Sequence, residues 1–398
     1  MKKRIITWVL LLMLITAETC PVKIQGAVQP TPEISAPGAV LMEPSTGTVL
    51  YEKNGEEQRS PASITKIMTL LLIFEALEDG QITLEEEAVT SAYAKSMGGS
   101  QVFLEEGEKQ TVETLIKCIV VASGNDASVV MAEHLAGSEE EFVKRMNEKA
   151  GELGMIHTQF EDCCGLTDSE EHYTTASDVA IVSRELITRF PRILEYSSIW
   201  MENIIHRTAQ GEKEFCLTNT NKLIRSYEGC VGLKTGSTSV AKYCVSAVAQ
   251  RGEMTLLAVV MGAPDAKVRF KDAAALLDYG FGKCNLYLDE NRKNPDPVPI
   301  KGGVKAEVAC RYTGEFRYLD TEGKNLSQME KKIVYMKNLQ APVKKGDIVG
   351  EAQYLLDGKV VGKTDMVAAK SVKKAGLWDY IKHIRKRMIK GNDYSADR

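Results

Sequence analysis

The stretch 60-SPASITKIMTLLLIFEAL-77 decides how the rest of the chain is read. Ser60 suits a helix N-cap and Pro61 the first helical position, so the sequence predicts a helix starting here. From Ile67 to Leu77 almost every residue is apolar, with no polar face, which predicts burial. A buried helix has little use for Ser63 and Lys66 near its start unless they line a cavity. Three residues apart, they share a face and can reach each other. Ser-x-x-Lys is then a hydroxyl nucleophile beside an amine able to take its proton. The first turn of a helix also offers N–H groups and a dipole that favour an oxyanion. By themselves the four residues carry little, because the motif recurs by chance and a first-turn Ser is often only a cap.

Upstream, 1-MKKRIITWVLLLMLITA-17 has a basic start and a short apolar core. It reads as a secretory signal, within residues 1–26, rather than a membrane span, with an uncleaved anchor as the alternative. Cys20 lacks the small residues before it that a lipoprotein signal has, so no lipid is expected there. The bulk of the chain is therefore expected outside the cytoplasm. At 398 residues and 44% hydrophobic, it can bury a core and should hold about two domains. The net charge of -4 gives no electrostatic case for nucleic acid. Nine Cys are scattered without a C-x-x-C, and Cys118, Cys230 and Cys244 sit in apolar segments as buried thiols. The five His do not cluster with Cys at ligand spacing, so no metal and no cofactor are expected.

Downstream, a Pro-rich linker precedes 38-GAVLMEPSTGTVLYEK-53, two β-rich runs that predict a hairpin. Thr111 should cap an apolar helix, although Thr114 stands where a capping box wants Glu or Gln. That helix should end in 123-SGND-126, leaving Ser123 and Asn125 in a loop, their side chains free to enter a cleft; an ordinary C-cap turn reads the same way. Helices are expected to resume over 127–135 and 139–153, and again over 178–188 after a cap at Thr175 or Ser177. The run 230-CVGLKTGSTSVAKYCVSAVAQRGEMTLLAVVMG-262 predicts three strands with turns at Gly236–Ser239 and Arg251–Glu253, followed by a helix over 264–281. Strand periodicity places Lys234 and Gly236 on one face and Thr235 on the other. No Gly-rich run precedes Lys234, so this is not a phosphate loop.

Ser63-Ile64-Thr65-Lys66, Ser123-Gly124-Asn125 and Lys234-Thr235-Gly236, in that order, resemble the three signatures of serine penicillin-recognising enzymes. The flanks Pro61-Ala62-Ser63, Met97-Gly98-Gly99-Ser100, His172-Tyr173-Thr174-Thr175-Ala176 and Gly232-Leu233 resemble the low-molecular-weight penicillin-binding proteins, the D-alanyl-D-alanine carboxypeptidases of bacterial walls. The resemblance implies an α+β fold over 27–285, with an antiparallel sheet flanked by helices, a helical lobe and the cleft between them. It also implies roles. Ser63 attacks the carbonyl between two D-alanines, Lys66 accepts its proton, and Ser123 relays a proton to the leaving amine. Asn125 holds the substrate backbone, while Lys234, Thr235, Gly236 and Arg269 border the site of its terminal carboxylate. The N–H groups of Ser63 and Ser237 would form the oxyanion hole. Lys66 must be neutral to act as base, so burial and nearby Lys234 should depress its pKa. Cys163-Cys164 stand before Gly165-Leu166 where a His or polar residue is common, a local departure.

The implied partners are peptidoglycan stem peptides and β-lactams, with no nucleic acid. A β-lactamase shares the motifs but usually places a deacylating Glu in Glu-x-x-Leu-Asn, a string this chain lacks. A non-catalytic wall-binding scaffold would not need nucleophile, base and relay intact. Residues 286–370 read as a small β domain without chemistry of its own. In 371–398 a basic amphipathic helix follows, with Leu377, Ile381, Ile384 and Met388 on one face and Trp378 beside them. That pattern suits an anionic membrane surface, on the outer face of the cytoplasmic membrane, or else a helix packed on the tail domain.

Overall fold

The computed structural model describes residues 30–382. The expected signal segment, Cys20 and the tail helix from residue 383 onward lie outside the described residues. Within them, nine strands and six longer helices build the first 250 or so residues. The strands are β1 (Gly38–Glu43), β2 (Thr48–Lys53), β3 (Glu87–Val89), β4 (Lys109–Thr111), β5 (Met201–Thr208), β6 (Gly211–Thr218), β7 (Cys230–Thr238), β8 (Lys242–Arg251) and β9 (Met254–Ala263). The helices are α1 (Lys66–Glu78), α2 (Val112–Val120), α3 (Asn125–Ala136), α4 (Glu139–Glu152), α5 (Ala176–Arg189) and α6 (Ala266–Lys283).

The main sheet is antiparallel, in the order β2-β1-β9-β8-β7. β8 and β9 carry runs buried on both faces, apolar but for Ser246, which only a sheet covered on both sides can use. α6 covers one face through Ala273, Leu276 and Leu277. The other face packs on the helical lobe, whose core includes Ile67, Leu70, Leu71, Leu115, Ile119, Val129 and Leu186. β7 closes one edge of the sheet, so its outer backbone row faces the lobe rather than another strand.

Several expected boundaries move. The helix foreseen from Pro61 begins as a 3-10 turn, Ala62–Thr65, and α1 starts only at Lys66. Ala62 takes φ +46, outside the helical region, and this breaks the expected first turn. Ser60 is not a working cap, for its Oγ is buried without a partner. α3 begins at Asn125, two residues earlier than foreseen. Thr175, not Ser177, caps α5 by accepting the Asp178 N–H. Thr111 caps α2 as expected, accepting the N–H of Thr114. β7 runs on through Thr238, so its turn falls after Thr238 rather than at Gly236.

The β domain has its own core, including Val298, Val349, Ala352, Tyr354 and Met366. Its four-stranded sheet orders Cys310–Tyr312, Lys359–Ala368, Ile348–Leu356 and Glu330–Tyr335. Residues 371–375 are still tied into it: Val372 pairs with Val343, and the Ala375 N–H reaches the Gly302 carbonyl. Residues 377–382 are helical, with Leu377 and Trp378 each 75% exposed. All eight described cysteines are free, and Cys118, Cys230 and Cys244 are buried as their apolar settings foretold.

Candidate active site

The site forms where the 3-10 turn, the start of α3 and the edge strand β7 meet. Ala62 and Ser123 both adopt the left-handed region, φ +46 and +63, which costs a non-glycine residue on the order of 1 kcal/mol or more. Each aims a serine-bearing turn at the cleft. Gly236 is required on β7, since a Cβ there would lie 2.9 Å from the Pro61 oxygen and 3.0 Å from the nitrogens of Ser63 and Ile64. Gly165 is required more strictly, because its Cβ would fall 1.8 Å from the Ala62 oxygen and its φ is +74. The turn bearing Ser63 is thus gripped by backbone from two sides.

Lys66 is completely buried, and its Nζ lies 3.0 Å from Ser63 Oγ, 2.6 Å from Asn125 Oδ1 and 2.6 Å from the Cys164 carbonyl. The last two oxygens can only accept. A neutral amine would spend its two N–H bonds on them and turn its lone pair to the Ser63 hydroxyl. Asn125 keeps its orientation by donating from Nδ2 to the Gly98 carbonyl at 2.8 Å. Lys234, also buried, donates to Ser123 Oγ and to the Thr235 carbonyl, both at 2.9 Å. Thr235 Oγ1 donates to Thr220 Oγ1 at 2.7 Å. Ser237 follows on β7 opposite Tyr243, exposed to solvent.

Neither lysine has a carboxylate within salt-bridge distance among the described residues. Burial lowers the Lys66 pKa, and Cys164, Cys163, Asp162 and Asp126 oppose it only in part. Burial holds Lys234 well below the ordinary lysine value, with repulsion from Lys66 and Arg269 adding to it. Both lysines are thus lowered, and the repulsion between them belongs to the pair rather than to either one. Arg269 donates from Nη1 to the carbonyls of Gly236 (3.1 Å) and Cys244 (3.2 Å) and stacks 4.4 Å over Phe270. Burial lowers its pKa to about 10, so it stays cationic at neutral pH; its Nε is buried without a partner.

Three contributors escaped the sequence reading. The Cys164 carbonyl holds Lys66, Thr220 holds Thr235, and His172 supports the turn. His172 Nδ1 accepts the Glu161 N–H at 3.0 Å, so its Nε2 carries the proton and donates to Thr65 Oγ1 at 2.8 Å. Thr65 and His172 are 107 positions apart, and no local pattern links them. Glu139, Asp162 and Cys164 could bring ligand atoms within 4.8 Å of one another. Their carboxylates are already committed: Glu139 accepts the Cys163 N–H and the Tyr93 hydroxyl, while Asp162 accepts N–H groups of its own loop.

Residues 24–265 match the D-alanyl-D-alanine carboxypeptidase family, and residues 296–374 match the C-terminal domain of penicillin-binding protein 5. The carboxypeptidase DacF of Bacillus subtilis is 42% identical over 87% of this chain and 88% of its own length. A Streptomyces carboxypeptidase, 30% identical, covers 63% of this chain and is itself 88% covered. Among solved structures, penicillin binding protein 5 from Haemophilus influenzae superposes with a TM-score of 0.71 at 30% identity, covering 86% of this chain and 99% of that one.

Proposed function

We propose, from the premise that this chain belongs to the D-alanyl-D-alanine carboxypeptidase family and is an enzyme of that class, that Ser63 is its nucleophile and the D-Ala-D-Ala end of a peptidoglycan pentapeptide stem its substrate. The Ser63 hydroxyl gives its proton to neutral Lys66 as Oγ bonds to the penultimate carbonyl carbon. The N–H groups of Ser63 and Ser237 receive the oxyanion. The C–N bond then breaks, and the leaving D-alanine amine takes a proton passed through Ser123, which Lys234 holds. Water afterwards attacks the ester on Ser63 and frees the shortened peptide and the enzyme. A β-lactam opens its ring amide on the same oxygen and stays attached. Lys234, Thr235, Gly236 and Arg269 supply the positive, donor-rich edge for the substrate's terminal carboxylate, and Asn125 holds its backbone.

The observation that carries this reading is Lys66 Nζ at 3.0 Å from Ser63 Oγ with its other two neighbours pure acceptors. Rapid β-lactam hydrolysis is disfavoured, since no carboxylate among the described residues hydrogen-bonds to Ser63 or Lys66. For the tail, export and attachment to an anionic membrane surface complete the reading. Exposed Leu377, Trp378, Tyr380 and Ile381 and the many Lys and Arg that follow support it. The test is mass spectrometry of the purified chain with a pentapeptide and with a labelled penicillin. Loss of one alanine and a long-lived adduct on Ser63 are expected. Rapid penicillin turnover would instead make it a β-lactamase, and inertness to both a scaffold.

A further inference from the structure

Resting on acylation of Ser63 with Lys66 as base, we infer that Asp162 is a positioning residue for that base: its carboxylate shapes the loop whose Cys164 carbonyl holds Lys66 Nζ, and it places a negative charge behind the amine. The carboxylate accepts four successive backbone N–H groups, from Cys164 (2.8 Å), Gly165, Leu166 (3.0 Å) and Thr167 (2.8 Å). With those N–H groups turned inward, two successive carbonyls turn outward onto α1. Cys163 accepts from Thr69 Oγ1 at 2.5 Å and Cys164 from Lys66 Nζ at 2.6 Å. Gly165 meets the Ala62 carbonyl, and His172, at the far end of the loop, meets Thr65. One loop thus touches this segment at Ala62, Thr65, Lys66 and Thr69, beside and behind the base.

Among the described residues, the ionisable groups that bear on the amine come from three parts of the fold. Asp162, Cys163 and Cys164 approach Lys66 from the loop, Asp126 from α3, and Lys234, backed by Arg269, from the sheet. His172, Glu139 and Glu161 flank Asp162; burial lowers the His172 pKa and keeps that ring neutral. Burial raises the Asp162 pKa, but His172, once protonated in acid, and the loop N–H groups outweigh it, so the carboxyl is ionised at neutral pH. An asparagine would offer one acceptor oxygen and an NH2 that opposes two of the four N–H groups, and it would carry no charge.

The test is the rate of Ser63 acylation by a fluorescent penicillin across pH, in the full chain, alongside thermal melting. The wild type should accelerate as pH rises. Asp162→Asn should slow the plateau rate by about tenfold, because the amine is less well aimed. It should also move the rising limb toward acid by about half a pH unit, because an anion that favoured the charged amine is gone. Asp162→Glu, which keeps the charge but displaces it, should lose rate and keep the limb in place. If the Asn variant does not fold, the Glu variant decides: an unchanged rate or a displaced limb overturns the inference. An Asn variant that folds but leaves the limb unmoved, with or without a slower plateau, also overturns it and makes Asp162 only a loop staple. A flat wild-type profile would remove the base assignment itself, which separates that failure from this one.

Discussion

Two lysines in one chain show opposite solutions to the same electrostatic problem. In the β domain, Lys331 lies 2.9 Å from Asp289, donates to Asn291 Oδ1 at 2.5 Å and rests 4.2 Å from the Tyr312 ring centroid. Burial pulls its pKa down, but hydrogen bonds to Asp289 and Tyr312 and the Asp289 charge leave it raised. In the cleft, Lys66 is more deeply buried, and its neighbours are a hydroxyl, an amide oxygen and a peptide carbonyl. Its pKa is lowered. A partner carboxylate keeps an ammonium charged and structural. Neutral acceptors with burial favour loss of the proton, which is what the proposed base needs. The fold therefore keeps carboxylates out of contact with the cleft lysines and lets backbone carbonyls do the holding.

Removing groups from each region should separate the two kinds of lysine. The largest effect belongs to Ser63→Ala, which should abolish the penicillin adduct and alanine release while shifting stability by no more than about 1 kcal/mol. An adduct on that variant would mean another nucleophile. Lys66→Met should slow acylation on the order of 10³-fold, the range of a lost general base, in a chain that still melts cooperatively. Lys331→Met should do the reverse, leaving acylation rates unchanged and lowering stability by about 1 kcal/mol, a small figure because the ion pair is partly solvated. A Lys331 variant with slowed acylation would erase the distinction. Gly165→Ala, by forcing a Cβ into the Ala62 carbonyl, should cost roughly 2 kcal/mol or more in denaturant titration and slow acylation as well. Smallest of all should be truncation after Ala375. It keeps the last bonds to the β domain and should leave the rate on a soluble pentapeptide unchanged, while releasing the protein from anionic vesicles. Vesicle binding equal to that of the full chain would make the terminal segment structural.

Much of this site was legible in residue spacing. Ser63 and Lys66 do meet, because three residues bring side chains together in a 3-10 turn as they do in an α-helix. Lys234 reaches inward and Gly236 meets the Ser63 turn from the same strand, as the two-residue period requires. The start of α1 was misjudged because propensity sees Ser60 and Pro61 but not the contacts that force Ala62 to positive φ. Asn125 was misplaced in a loop because Gly124 reads as a helix stop, whereas here it is the N-cap of α3. The grip of residues 162–166 on Lys66 depends on contacts across 98 positions. The one local sign, an Asp that collects its own loop's N–H groups, went unread.

The claim that Lys66 works as a neutral base is tested most directly by NMR of the lysine side chains. The ε-carbons of Lys66, Lys234 and Lys331 would be labelled, assigned by loss of each signal in its Met variant, and followed against pH. The Lys66–Lys234 pair should lose its first proton well below about 10.4, the free lysine value, while Lys331 titrates above it. A pair that keeps both protons up to the free lysine value, alongside an ordinary Lys331, would contradict the account.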